Sequence, residues 1–498
     1  MKNDIFDNLI IFEMANSHQG SVEHGINIIK EMGKIARKYN VKAAVKLQYR
    51  DLDTFIHPDY RGRKDVPHIP RFESTRLNYA QFTQLVEAIK SEGLIAMSTP
   101  FDETGVTWCC DQGLEIIKVA SCSAMDWPLL EAVAAAKKPI IISTGGKSVV
   151  DIDKIYNFFI HRNCTFAFMH CIAEYPVSME RIQLDFIDLM KKRYRGISIG
   201  YSGHEDPNDN LVPMLAAAKG VQIFERHVGL PTETIKLNAY SMNPEQADQW
   251  VNSILRAKDI CFLKKQGQKY ISQEELDSLN SLMRGCYISK DVKRGTPLTE
   301  KDVFFAMPCH QGQITSGTFR EGMIASKDYQ ANEALYETVN ITDIDIARSV
   351  IHEAKGLLLE AGIALGDSFD VELSHHYGIR HLRSIGAVII NIVNREYCKK
   401  LVIVLPSQKH PNHFHKTKEE TFQLLYGDLE IQIGDKVRNM VPGDTQVVLR
   451  GEMHQFSSIN GAIFEEISTT HIKGDSYYED ETIAKKDLME RKTVLESW

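Results

Sequence analysis

From residue 8 to about 262, short apolar runs alternate with amphipathic stretches of helical length, the pattern of repeated strand–helix units and a parallel sheet. Strand character falls at 9–13, 43–47, 95–98, 115–119, 140–143, 166–170, 197–200 and 221–225, which makes eight runs. Helical periodicity lies between and after them, as at 25–37, 79–91, 129–136, 212–219 and 244–262. Eight repeats in this length predict an α/β fold, a closed (β/α)₈ TIM barrel over residues 1–265, with an open doubly wound sheet as the alternative.

After a polar stretch at 264–273 the pattern changes. Short strand-like pieces broken by Gly295, Pro297, Pro308, Gly312 and Gly317 predict a small β-rich domain over 283–342. A helix from 343 to 361 lies in a linker spanning 343–370. Residues 371–498 return to strand patterns, including 388–393, 401–405 and 422–425, with Gly427, Gly434, Gly443 and Gly451 at the turns, which predicts an all-β barrel or double sheet.

Composition narrows the class of partner. The 498 residues carry a net charge of −8, the wrong sign for a chain that lives on nucleic acid or anionic membrane. Nine scattered cysteines without a C-x-x-C pair point to reduced thiols and a cytoplasmic location. The longest apolar stretch, 385–393, contains Gly386 and Asn391 and is far shorter than the ~18–20 residues that span a bilayer.

In a (β/α)₈ barrel the active site forms at the carboxyl ends of the strands, so the polar residue closing each run is a candidate. These are Glu13 with Asn16 and His18, then Lys46 and Gln48, Ser98 and Thr99, Lys118 and Ser121, Ser143 and Thr144, His170 and Tyr175, Ser202 and His204, and the 225–227 run Glu–Arg–His. Lysines with hydroxyls suit a phosphate or carboxylate, and two histidines suit a divalent metal that polarises a carbonyl oxygen. A carbon nucleophile meeting an aldehyde is the reaction this set fits. A Schiff-base aldolase using Lys46 or Lys118 is the competing class.

The strings FEMANSHQG (12–20), VKLQ (45–48), STPF (98–101), KVAS (118–121), STG (143–145), GYSGH (200–204), ERH (225–227) and SMNP (241–244) resemble, in order and spacing, the sialic acid synthase family. Residues 285–317 are similar to the antifreeze-like (SAF) domain that follows the barrel there. The resemblance implies a metal-dependent condensation of phosphoenolpyruvate with an aldose, giving a 3-deoxy-ulosonic acid and phosphate. By the same resemblance Lys46, Lys118, Ser121, Ser143, Thr144 and Ser202 bind phosphoenolpyruvate, and His204 and His227 hold Mn²⁺ or Mg²⁺. Glu13 then handles a proton or water, and Tyr175 lines the sugar pocket. It also implies a domain-swapped homodimer. The sugar-facing positions depart from the family pattern at Gly203, Cys122–Ser123, Leu237–Asn238 and Met307–Pro308, which points to a different acceptor sugar.

The string HFHKTKEE (413–420) puts His413 and His415 on one face of a strand, with Glu420 behind and His454 downstream. Three histidines and a carboxylate make a first shell for a second divalent metal, Mn²⁺, Zn²⁺ or Fe²⁺. With YCKKL (397–401), EEISTTH (465–471) and DSYY (475–478) the segment resembles sugar-isomerase cupins such as D-lyxose isomerase. Glu420, Glu430, Glu465 and Lys418 are the candidates for the proton-moving group of an aldose–ketose isomerase. The alternative is a module that binds a sugar without turning it over.

Overall fold

The computed structural model describes residues 5–261, 269–336, 342–366, 369–495 and 498; the polar stretch at 264–273 and the 265 and 342 boundary regions fall partly outside them. The eight apolar runs become β1 (Leu9–Glu13), β2 (Ala43–Tyr49), β3 (Ile95–Pro100), β4 (Ile116–Val119), β5 (Ile140–Ser143), β6 (Phe166–Cys171), β7 (Ser198–Gly203) and β8 (Ile223–His227). They pair in parallel and in chain order, and β8 closes on β1, so the barrel is confirmed and the open sheet is excluded. Helices return the chain between strands. The first, Val22–Tyr39, is capped by Ser21, whose side chain accepts the His24 N–H, and stops at Asn40 in the left-handed region.

Period-two alternation divides each strand between two cores. Outward residues such as Phe12, Val45, Ile142, Phe168 and Phe224 pack against the surrounding helices. Inward residues Leu9, Ile11, Ala44, Met97, Ile116, Ile141, Ala167, Met169 and Ile223 fill the barrel floor. The next inward position on these strands is polar, which sets a charged layer above an apolar plug.

The chain divides into two compact units, Met1–Phe262 and Leu263–Trp498. In the second, Gly285–Ile288 and Val303–Ala306 pair antiparallel, and residues 286–335 enclose a small core of their own. The C-terminal region is built on two antiparallel sheets. One has seven strands, in the order Thr445–Val448, Glu420–Gly427, Ala462–Thr469, Tyr397–Val404, Ala387–Asn394, Asp370–Ser374 and Lys492–Leu495. The other has five: Lys436–Met440, Leu429–Ile433, His454–Ser457, Lys409–Phe414 and Tyr477–Tyr478. Phe422, Leu424 and Phe464 from the first meet Leu429, Ile431 and Phe456 from the second.

One boundary is corrected. The helix Asp343–Ala361 is not a linker: its Val350, Ala354, Leu357 and Leu358 cover Val371, Leu373, Ile390 and Ile403 on the outer face of the seven-stranded sheet. Burying that apolar stripe makes the helix one layer of the unit. All nine cysteines are free, and no helix of the described residues is long and apolar enough to cross a membrane.

Candidate functional site

Above the apolar plug the inward side chains of β1, β2, β4, β5, β7 and β8 meet. The Lys46 ammonium pairs with Glu13 and, at 2.8 Å, with Glu225. Lys118 lies 3.2 Å from Glu225 and donates to the Ser143 hydroxyl at 2.7 Å, while Ser202 Oγ donates to Glu225 at 3.2 Å. Burial works against charge on Lys46, yet Glu13 and Glu225 hold its pKa above the usual lysine value. Burial pulls Lys118 down. Burial alone would raise Glu225, but Lys118 and Lys46 override it and keep this group a carboxylate. For Glu13 burial dominates, the Glu225 charge adds to it, and the pKa is raised. Glu13 is therefore the carboxyl of this layer that most readily takes a proton.

His204 and His227 sit at the rim with ring centroids 5.5 Å apart. The Ile172 carbonyl, 3.0 Å from His204 Nδ1, can only accept, so that nitrogen carries the proton and Nε2 keeps its lone pair. Burial lowers the His204 pKa to about 4 and drives His227 well below the usual value, leaving both rings neutral. Two neutral imidazoles fit a divalent ion that takes its other ligands from substrate and water. Tyr175 packs tilted against His204, with centroids 4.2 Å apart, and is half-exposed at the mouth.

All these residues line one cavity of about 690 Å³, together with Ser121, whose hydroxyl accepts the Gly145 N–H at 3.0 Å. That size lies within the ~300–1,000 Å³ of small-molecule sites. The strand-end candidates His18, Ser98, Thr144 and His170 do not line this cavity. Thr144 follows inward-facing Ser143, so it points outward and donates to the Met169 carbonyl at 3.0 Å. His170 likewise bonds the Ile182 carbonyl at 2.7 Å. Glu225 is the hub of the layer, and in the sequence it is a candidate only as part of a strand end. Its spacing, two residues after plug residue Ile223 and two before His227, was the signal that singles it out.

The second cluster lies between the two sheets of the C-terminal unit. His413, His415 and His454 each place a ring nitrogen within 4.8 Å of the others. Their Nδ1 atoms face the carbonyls of Pro411 (3.0 Å), Asp475 (2.6 Å) and Glu452 (3.0 Å), which leaves every Nε2 as the free donor atom. Backbone orientation of this kind is what metal-ligating histidines have. Glu420 completes the set: its carboxylate lies 3.1 Å from His454 Nε2 and 3.5 Å from His415 Nε2. Burial lowers His415 to about 4 and drives His413 well down. Burial opposes charge on Glu420, but Lys418 and the histidines hold it as a carboxylate.

Behind Glu420, Lys418 bridges to Glu466 at 3.0 Å, and Lys400 approaches Glu466 at 3.7 Å. Two candidates are corrected here. Glu465 faces away and pairs with Lys399 at 2.6 Å, while Glu466, one residue on, faces inward with Phe464. Glu430 is exposed on its strand. His376 and His410, unsuspected from sequence, extend the pocket, with their Nε2 atoms 3.0 Å apart. The free volume here is about 80 Å³, room for an ion and a few waters.

A parallel eight-stranded barrel with a lysine–carboxylate layer and a histidine pair at its carboxyl end has its polar groups where barrel enzymes carry their active sites. The NeuB family model matches residues 34–265. A crystal structure of a protein designated spore coat polysaccharide biosynthesis protein E, from Chromobacterium violaceum, is 42% identical, with 66% of this chain and 98% of that one covered and a TM-score of 0.63. The chain belongs to the NeuB family. Pseudaminic acid synthase of Campylobacter jejuni is 26% identical over 342 residues, 66% of this chain and 95% of the relative. N,N'-diacetyllegionaminic acid synthase of Legionella pneumophila is 25% identical, covering 60% of this chain and 85% of the relative.

Proposed function

We propose that the barrel condenses phosphoenolpyruvate with an aldose to give a 3-deoxy-ulosonic acid of the nonulosonic type. The observation that carries this reading is the Lys46–Glu225–Lys118 layer with Ser143 and Ser202, open to a cavity of substrate size. The two lysines and the hydroxyls of Ser121, Ser143 and Ser202 bind the phosphate and carboxylate of phosphoenolpyruvate. Its terminal carbon forms a bond to the aldehyde carbon, water adds to the neighbouring carbon, and the bond to the phosphate oxygen breaks, so that ulosonic acid and inorganic phosphate leave. Glu13, with its raised pKa, holds the proton exchanged with water and the new hydroxyl. His204 and His227 would hold Mn²⁺ or Mg²⁺, which when bound polarises the aldehyde. Tyr175 lines the sugar end. Sequence resemblance supports a homodimer in which residues 307–311 of one subunit reach the other's sugar site, an arrangement that light scattering of an active sample tests.

A Schiff-base aldolase would need a neutral amine, and Lys118, lowered by burial, is the lysine that could supply it. Following loss of phosphoenolpyruvate with aldoses, with and without EDTA and borohydride, tests the reading. Phosphoenolpyruvate consumption abolished by EDTA supports it; a borohydride-trapped lysine in an EDTA-insensitive enzyme overturns it.

For the C-terminal unit we propose a cupin that binds Mn²⁺, Zn²⁺ or Fe²⁺ through His413, His415, Glu420 and His454 and interconverts a ketose and an aldose. Lys418 and Glu466 are the paired groups suited to move the proton between the two sugar carbons. The small free volume requires the pocket to widen for a sugar. Metal analysis of His413→Ala and His415→Ala variants, with isomer ratios measured on the full chain, tests this half.

A further inference from the structure

The barrel cavity carries more positive charge than the phosphoenolpyruvate layer uses. Arg50 follows the end of β2, its guanidinium 3.6 Å from the centroid of Phe101 and 4.2 Å from that of Phe72. Its Nε is buried without a hydrogen-bond partner, and among the described residues no carboxylate pairs with it. Asp102 is near, but both of its oxygens accept backbone N–H groups, from Gly105 at 2.6 Å and Asp51 at 2.8 Å. Burial lowers the Arg50 pKa to about 10, which still leaves it charged at neutral pH.

Arg71, on the short helix Ile69–Ser74, lines the same cavity beside His68, and among the described residues its guanidinium has no ion pair either. Arg61, Arg195 and Arg256 of this unit also have no ion pair among the described residues, but they lie outside the cavity, so it is unpaired charge at this place that counts. Arg37, Arg63, Arg76 and Arg193 each pair with an aspartate or glutamate. Lys46 and Lys118, deeper in the cavity, are balanced by Glu13 and Glu225. Two guanidinium groups without an ion pair line this one cavity, one of them fixed by aromatic rings, and guanidinium is the side-chain group that best matches a phosphate or carboxylate.

Building on the condensation reading, we propose that Arg50, Arg71 and His68 form a second anion subsite, and that the aldose condensed here carries an anionic group, a phosphate or a carboxylate. Loss of phosphoenolpyruvate is measured with mannose 6-phosphate, mannuronate and mannose, for the native chain and for Arg71→Ala, an exposed position whose change leaves the fold intact. At least one anionic aldose should exceed mannose tenfold or more in kcat/KM, and which of the two does so tells phosphate from carboxylate. Arg71→Ala should raise that aldose's KM at least tenfold and leave the KM for phosphoenolpyruvate within twofold. Equal use of mannose, or a rise confined to the phosphoenolpyruvate KM, overturns the subsite while leaving the condensation standing. Should none of the three consume phosphoenolpyruvate, titration calorimetry with mannose 6-phosphate and mannuronate decides. Binding weakened tenfold or more in Arg71→Ala upholds the subsite, and binding that is absent or unchanged overturns it.

Discussion

His204 and His227 contribute little to barrel packing, because the apolar plug lies beneath them and both rings stand at the cavity wall. Replacing either with alanine is expected to leave the thermal midpoint near that of the native chain. Condensation should fall by more than the ~10–100-fold typical of losing an outer-shell partner. Steady-state rates with saturating Mn²⁺ check this. His18 makes a different demand. Burial, with His24 and Arg71 nearby, lowers its pKa from 6.5 to about 4, while its Nδ1 accepts the Gly20 N–H at 3.1 Å. The folded state therefore favours neutral His18, and between pH 6.5 and 4 the unfolded chain binds more protons. Its contribution, roughly 3 kcal/mol at most, is complete above pH 6.5 and is lost as the pH falls toward 4. Melting the native chain and His18→Asn across that window should show a shallower slope for the variant.

At the level of strands, inward and outward alternation decided which sequence expectations stood. The eight runs are legible because polar, glycine or proline residues interrupt the apolar pattern beside most of them, and β1 and β5 have the predicted limits. Side chains alternate across the pleat, so only every second polar residue near a strand end faces the cavity: Ser98, Thr144 and His170 turn outward, and Glu225 turns in. The same period separates Glu466 from Glu465. His410 had no such signal. A bulge between His410 and His413 shifts the register, so two histidines three apart share a face, and a bulge has no fixed composition to read. Gly200 shows how tight the inner layer is. A Cβ there would lie 2.8 Å from Ile223 Cβ and 2.9 Å from its carbonyl oxygen, with Met169 at 3.1 Å. Because backbone must move, Gly200→Val is expected to destabilise the barrel by at least ~1–3 kcal/mol, measurable by chemical denaturation.

Across the whole chain, the two candidate sites draw on residues from different units and have different electrostatic designs. The barrel layer balances two lysines against two carboxyl groups and waits for an anion, whereas the C-terminal pocket holds three imidazoles around one carboxylate and waits for a cation. The two chemistries can be linked through the sugar. A condensation needs a free aldehyde, and a ketose offers none, so an isomerase in the same chain would supply the aldose that the barrel then removes by forming a carbon–carbon bond. Loss of phosphoenolpyruvate with a ketose as sole acceptor should accordingly depend on both sites, and with the matching aldose on the barrel alone. His413→Ala combined with His415→Ala is expected to abolish the ketose-dependent rate and to leave the aldose-dependent rate within about twofold of native. Addition of the separate aldose should restore the variant fully. Equal loss of both rates would mean that the C-terminal pocket supports the barrel in some way other than by making its aldehyde.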